Sequence, residues 1–564
     1  MVDARSRWFG YGGLSFAGYF DARPANSPYG SHGRVSTDTT QRFEEDRRRT
    51  GGMSKDFAAD VRDVLAVDAE AFQAEAEADA EVVKTELRDG TFDNHQSIVG
   101  FEYEFYAVDD GRWSGDKDLA CSLMRVPRRM LELIGFEKEL GLHNAEMSTS
   151  PQPFNPHGLR AQESEVLARL SAALDCTSAE GMRLVSDALW TIPPAGETAS
   201  EYLGSSVDDD GVDIATNMSD AVRYHAMANG EEMPDTFPVE APNVSFEATT
   251  VMPESLITSI QPHYQMSHAA DLPTYFNYAL RVAGPLLALG VNAPFFPPDL
   301  YDEGVDAETI VAEAWDEHRI SVFESVLNTA TEEDKVAFPT DLDTVEDAVD
   351  RVVEDDLFVP MPVARDGDRF DDTFATLRMK HGTYWRWVRP VFGGASRSSA
   401  NARVEFRPIP AQPTVRDSLA FQAAFAGLME SLPQRRHPVV DMDWAVAREN
   451  FYAAMRDGLD SGQRWVTNDG QETTNPVEVY DDLLAHAADG LESAGCSEAE
   501  SDHYLAPLRA RVDAARTPAD WKREQVRSRL ADGDDLEDAI TGMQQAYIRQ
   551  QSETLLEGTF ADWV

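Results

Sequence analysis

Hydrophobic and polar residues alternate with period two in four short stretches of this chain, which marks each as a β-strand with one apolar and one polar face. The first is "VGFEYEFY" (99–106). Phe101, Tyr103 and Phe105 fall on one face, and Glu102 and Glu104 on the other, about 7 Å apart. The second, "HNAEMSTS" (143–150), puts Asn144, Glu146 and Ser148 on one side. The third, "TSIQPHYQM" (258–266), aligns Gln261, His263 and Gln265. The fourth, "NARVEFRPI" (401–409), aligns Arg403, Glu405 and Arg407 against Val404 and Phe406. Between these strands the period lengthens. Residues 56–88 predict one long helix, 158–185 a helix broken at Gly181, and 272–295 a buried helix running into a turn. Residues 204–245 are loop-rich around a short helical piece, 305–356 read as acidic helices, and the chain beyond 415 is almost wholly helical. No Gly-rich phosphate turn follows any strand, so the fold class is α+β rather than a doubly wound sheet.

The polar faces together offer four carboxylates, one imidazole, two glutamine amides and two guanidiniums. Carboxylate oxygens are hard donors suited to Mg²⁺ or Mn²⁺. Guanidiniums suit phosphate and carboxylate groups. Phosphoryl transfer from a nucleotide needs this pairing, with metal neutralising charge and Arg holding the moving group. Each stretch alone has an ordinary reading. An E-x-E strand is usually a solvated face, a single histidine is usually structural, and Arg403–Glu405–Arg407 reads equally as a surface ion ladder. The chemical reading requires the four strands to be neighbours in one sheet.

Charge sharpens the picture. Lys and Arg number 49 and Asp and Glu 100, a net charge of −51 spread along 564 residues. Such a surface opposes compaction at low salt and keeps a protein soluble at high salt. It identifies the cytoplasmic protein of a halophile, and it argues against nucleic acid or an anionic membrane as partner. Cys121, Cys176 and Cys496 are far apart and form no metal or disulfide motif, which fits a reducing compartment. No apolar run reaches the length of a membrane span. Residues 1–52 differ in character, with net charge +2 and no sustained period. They read as an upstream mis-start before Met53 or as a disordered arm, outside the folded core.

The wording and order of these segments resemble the glutamate–cysteine ligase family, in its bacterial carboxylate–amine ligase branch, here from a halophilic archaeon. "GFEYEF" resembles that family's opening G-x-E-x-E-F strand, "AEMSTSPQP" its second acidic strand, and "SIQPHYQM" its H-x-H or Q-x-N strand. "YWRWVRP" and "RVEFRP" resemble W-x-x-x-R-P and T-[VL]-E-x-R. The resemblance implies metal binding by Glu102, Glu104, Glu146, Glu405 and His263, and catalytic roles for Arg407 and Arg389. It implies substrate or nucleotide contacts from Gln261, Arg403, Asn292 (in "LLALGVNAPFF") and Arg223 and Tyr224 (in "VRYHAMA"). "ARENFYAAMRDGLDSG" carries over Glu449, Asn450, Arg456 and Gly458. Two departures stand out: Tyr103 replaces a third acid in the first strand, and Pro408–Ile409–Pro410 stands where an Asp is common.

The implied fold is like the catalytic domain of glutamine synthetase, a curved, mostly antiparallel sheet lining a funnel with helices packed outside. On this reading 53–92 is an N-terminal helix, 93–435 the catalytic part with 199–257 an insertion over the site, and 436–564 a helical part of the same domain. The implied activity is ATP- and Mg²⁺- (or Mn²⁺-) dependent joining of the γ-carboxylate of glutamate to the amine of cysteine through an acyl phosphate, a step of thiol biosynthesis. Two alternatives stay open: a ligase for a different amine, and a non-catalytic regulator that binds nucleotide or amino acid. The expected partners are small molecules, with homo-oligomerisation left open. Loop 392–401, "FGGASRSSAN", reads equally as a lid hinged at Gly393 and Gly394 and as a solvated turn.

Overall fold

The first alternating stretch becomes the twelve-residue strand β1, Ile98–Asp109, at the centre of an eight-stranded sheet. This computed structural model describes residues 57–111, 121–230, 233–330, 334–365 and 367–563, so the expectation for 1–52 lies outside the described residues. The sheet continues with β2 (Phe136–Lys138), β3 (Asn144–Ser148), β4 (Gln152–Pro153), β5 (Met182–Val185), β6 (Ile260–Gln265), β7 (Val388–Gly393) and β8 (Asn401–Phe406). The spatial order is β7-β8-β6-β1-β3-β2, with β4 and β5 also pairing with β1. Every pairing is antiparallel. The α+β class and the mostly antiparallel sheet with helices outside are therefore as expected.

The apolar faces turn outward onto helices. Phe101, Tyr103 and Phe105 are fully buried. Phe406 stacks on Phe425 of the helix Val415–Arg435 with ring centroids 4.4 Å apart. Tyr264 donates from the same side to Glu430 of that helix at 2.7 Å. The C-terminal helices join this core through a buried ion pair. Arg511 donates to Asp417 at 2.7 Å, and the second oxygen of Asp417 accepts from the Phe560 backbone.

The structure corrects the sequence reading at three places. Residues 56–88 form two helices, Phe57–Leu65 and Ala69–Arg88, because the Asp68 side chain accepts from Ala71 N at 2.9 Å and starts a new helix. Helical periodicity extended to 185 ends at Ala179. Gly181 takes φ +76° there, and Met182–Val185 becomes a strand along β1. The loop-rich stretch 204–245 contributes to two small hairpins around the helix Val222–Met227. Among the described residues no helix is long and apolar enough to cross a membrane.

Candidate active site

Strand register brings the four polar faces together. Glu102 lies opposite Gln261 on β6 and Ser148 on β3, and Glu104 lies opposite Glu146. His263 lies opposite Glu405, and Arg389 on β7 lies opposite Glu405 from the other side. Directly opposed residues project to the same face of a sheet. One face thus carries all four sequence-predicted carboxylates, with Gln261, His263, Arg403 and Arg389 among them. Arg407 follows β8 and is pinned by its backbone N–H to Trp387 O at 2.9 Å.

These groups are wired in series. Glu405 Oε1 accepts from Arg389 Nε and Arg407 Nη1, both at 2.8 Å. Arg407 also donates to Gln261 Oε1 at 2.5 Å. Gln261 Nε2 in turn donates to Glu104 Oε1 at 2.9 Å, and Ser259 N donates to Glu104 Oε2 at 2.6 Å. The series holds two guanidiniums and two carboxylates in fixed places without leaving the guanidiniums unbalanced.

Beside it stand carboxyl oxygens that receive no hydrogen bond from the protein. They are both oxygens of Glu102, Oε2 of Glu146, Oε2 of Glu405 and Oε1 of Glu139, all buried. Burial, with repulsion from Glu405, pushes the Glu102 carboxyl well above its ordinary range. Burial, with Glu102, Glu139 and Glu104 nearby, does the same to Glu146. Glu139 is pushed up to about 8, chiefly by burial and then by Glu104. A folded protein rarely leaves so many buried acceptors without donors. The donor set, buried hard oxygens on one sheet face without N–H partners, is of the chemical kind a divalent cation of the Mg²⁺ or Mn²⁺ type takes, although no three of these carboxyls bring their oxygens within 4.8 Å of one another.

His263 sits in the same group with a different commitment. Its Nδ1 accepts from Arg403 Nε at 3.2 Å. The ring proton then lies on Nε2, 3.5 Å from Glu102 Oε1, where it faces the carboxylate as a donor. A lone pair on Nε2 becomes available to a cation only if Arg403 withdraws. Burial and the guanidiniums of Arg403, Arg389 and Arg407 keep this ring neutral by lowering its pKa.

The polar face opens into two clefts. One, of about 680 Å³, has apolar walls from Val83, Val349, Val352, Phe374 and Leu377, with Asn401 and Arg403 of β8 at its floor. The other, of about 450 Å³, is charged and is lined by Glu104, Glu139, Glu254, Arg319 and Arg407. Asn401, Arg403 and Glu405 share one face of β8, so the clefts lie toward opposite ends of one surface. At strand rise, Asn401 and Glu405 are about 13 Å apart. The loop after β7 forms a rim of the apolar cleft. Gly394 takes φ +150° there, and its N–H is held by Asp371 at 3.2 Å.

The remaining sequence candidates are distributed as follows. The buried Tyr224 hydroxyl feels the charges of Glu139, Glu254 and Glu146, the first two of which line the charged cleft. Arg223 donates to Met379 O at 3.0 Å and has Arg389 as an electrostatic neighbour. Asn292 lies away from both clefts, where its amide donates to Ala411 O and Tyr547. Glu449 and Arg456 pair with each other at 2.7 Å, and Asn450 holds the Arg464 backbone. A Cβ at Gly458 would meet the Asp316 carboxylate at 2.5 Å, so glycine there serves packing. Sequence reasoning missed Glu139, Glu254 and Arg319. They sit beyond β2, in the 3-10 turn Met252–Leu256 and in the helix His318–Leu327, where no period-two pattern advertises a polar face.

A second cluster, His437, Asp482 and His486, brings its ligand atoms within 4.8 Å of one another. His437 Nδ1 accepts from Val439 N at 3.2 Å, so its proton lies on Nε2 and faces Asp482 Oδ2 at 3.0 Å. That is a hydrogen-bonded pair, further closed by Trp465 Nε1, and not a vacant ligand set.

The chain is an ATP-dependent carboxylate–amine ligase, and the sheet face of donor-less carboxylates and bridged guanidiniums between an apolar and a charged cleft is its candidate site. The family profile Glutamate-cysteine ligase family 2 (GCS2) matches residues 98–553, and the chain belongs to that family. The mixed helix-and-strand architecture with its antiparallel sheet fits the α+β class expected from the sequence. No curated protein sequence matches the chain. Solved structures with similarity include the glutamate–cysteine ligase of Francisella tularensis in complex with AMP, at 13% identity and TM-score 0.42, covering 84% of this chain and 92% of that one. A bifunctional glutathione synthetase from Pasteurella multocida is 14% identical with TM-score 0.45, covering 84% of this chain and 55% of that one. The complex of the prokaryotic ubiquitin-like protein Pup with its ligase PafA gives 11% identity and TM-score 0.37, with coverages of 80% and 72%.

Proposed function

We propose that this ligase joins the γ-carboxylate of glutamate to the amine of cysteine at the expense of ATP. The observation that carries the reading is the group of buried, donor-less oxygens on Glu102, Glu146, Glu405 and Glu139, lying between an apolar and a charged cleft. The nucleoside of ATP suits the apolar cleft, and its phosphates would run along β8 toward Glu405. Glu102, Glu146, Glu405 and Glu139, with Glu104 beside them, would hold Mg²⁺ or Mn²⁺, which supplies charge neutralisation and alignment of the phosphates. A γ-carboxylate oxygen of glutamate attacks the γ-phosphorus, the bond to the β-phosphate oxygen breaks, and ADP leaves an acyl phosphate. The cysteine nitrogen then attacks the acyl carbon, phosphate departs with the bonding pair, and the nitrogen gives up its proton to the departing phosphate. Arg407 and Arg389 approach the moving phosphoryl group, already oriented by Glu405. The two-ended, water-poor face limits hydrolysis of the acyl phosphate.

A different amine remains the second reading, because the charged cleft contains no group that singles out a thiol. The test is ADP release in multimolar KCl with ATP, a divalent cation, glutamate and an acceptor. Cysteine would be run beside alanine, ammonia and simple amines, with product mass read out. γ-Glutamylcysteine is the expected product. Another γ-glutamyl amide would move the assignment to the second reading. No ADP with any acceptor would favour a non-catalytic binder.

A further inference from the structure

Arg403 lies at the floor of the apolar cleft, and two carboxylates of the candidate site, Glu405 and Glu102, attract it electrostatically. A buried guanidinium with such neighbours is expected to close on them, since charged hydrogen bonds are the strong ones. Here it does not. Both oxygens of Glu102 and Oε2 of Glu405 take no hydrogen bond. Arg403 donates instead to two neutral acceptors. Its Nη1 meets Asn401 Oδ1 at 3.0 Å, and its Nε meets His263 Nδ1 at 3.2 Å.

Asn401 is itself fixed. Its amide nitrogen donates to the carbonyls of Gly393 at 3.0 Å and Ser399 at 3.2 Å, which leaves its oxygen for the guanidinium. Both carbonyls flank the loop between β7 and β8. That loop is anchored from outside, where Phe370 N donates to Ala395 O at 3.1 Å and Arg397 pairs with Glu86. Asn401 and Arg403 are each 2% exposed, so bulk water does not compete for the bond between them. Without an acceptor oxygen at 401, Nη1 would have the two carboxylates as its strongest attraction. We infer, on the strength of the ligase reading, that Asn401 is a positioning residue acting through Arg403: it holds the guanidinium on neutral partners, so that Glu102 and Glu405 stay open to a divalent cation. His263 is the second neutral stop, and the bond it accepts at Nδ1 leaves its proton on Nε2.

Titration of the full chain with Mn²⁺ alone, in multimolar KCl, tests this. Asn401→Ala should weaken Mn²⁺ binding about tenfold, as Arg403 turns to the acids. In an Arg403→Gln background the same substitution should change binding by less than about twofold, because no guanidinium is left to release. A turn residue that merely supports the fold would cost the same in both backgrounds, so equal losses overturn the assignment. Unchanged Mn²⁺ binding in Asn401→Ala overturns it too. Nitrogen NMR of the native protein with labelled histidine reads the wiring without variant or metal. Protonation of His263 at Nε2 is expected, and protonation at Nδ1 overturns the inference. A native protein that takes up no Mn²⁺ also overturns it, and if ATP does not restore uptake the ligase reading falls as well.

Discussion

Replacing Glu102 by Gln should stabilise the metal-free protein and cripple the enzyme. Neither oxygen of Glu102 takes a hydrogen bond, with His263 Nε2 standing off at 3.5 Å, and its carboxyl faces those of Glu146 and Glu405 in a fully buried place. A buried acceptor without a partner costs about 1–3 kcal/mol. The amide of Gln keeps the shape, removes the repulsion and can donate to the vacant Oε2 of Glu146 or Glu405. The variant should therefore gain about 1–3 kcal/mol in EDTA. Metal reverses the order, because a cation at 100 times its dissociation constant stabilises the native protein by about 2.7 kcal/mol, and the variant has lost a ligand. Calorimetric scans in EDTA and in Mn²⁺ measure both terms, and turnover should fall by about two to three orders of magnitude. The sign of the pH dependence follows from the same carboxyls. Their folded pKa values lie above the unfolded ones, so the folded state binds more protons and stability declines as pH rises from about 4.5. With Glu139 pushed up to about 8, the decline in the metal-free protein should extend to about pH 8, and Mn²⁺ should flatten it. A lower midpoint for Glu102→Gln in EDTA, or equal stabilisation of both proteins by Mn²⁺, would refute the reasoning.

Arg407→Lys keeps the charge but loses the planar fork, whose Nη1 alone serves both Glu405 and Gln261, so no second nitrogen is left for the moving phosphoryl group and kcat should drop about a hundredfold with little change in ATP binding. A larger effect on the KM for ATP than on kcat would move Arg407 out of the phosphoryl-transfer role. Gly394→Ala forces a Cβ to within 2.6 Å of Ala400 Cα at φ +150°, and should cost about 1–3 kcal/mol by chemical denaturation, where no loss would mean the loop simply shifts. A net charge of −51 predicts an unfolding midpoint that climbs from roughly 0.1 M to several molar KCl, followed by circular dichroism, and a flat response would remove the halophilic reading.

Period-two alternation disclosed the four strands and the face of each residue on them, because that signal is local. It could not disclose that β6, brought in from 260, lies between β1 and β8, since register is set by tertiary pairing. Once the pairing is known, Glu104 opposite Glu146 and His263 opposite Glu405 follow directly. The helix break at Asp68 was less legible, because an acid in an acidic helical run looks like one more solvated side chain until its cap bond is seen. Asn292 illustrates the opposite error. A polar residue at a turn attracts a functional reading, and here its amide is committed to Ala411 and Tyr547.

Residue type carries little information in such a chain. With 100 acids in 564 residues, an E-x-E strand is expected somewhere on the surface. What separates Glu102 from the solvated acids is the loss of both water and donors, a cost that folding alone gives no reason to retain. The criterion also discriminates against acids that resemble site residues. Asp187 is as buried as Glu102, yet it is answered by Lys522, Gln544 and its own neighbour's N–H, and its burial is structurally balanced. A buried carboxyl therefore points to chemistry here only where the protein withholds the donor.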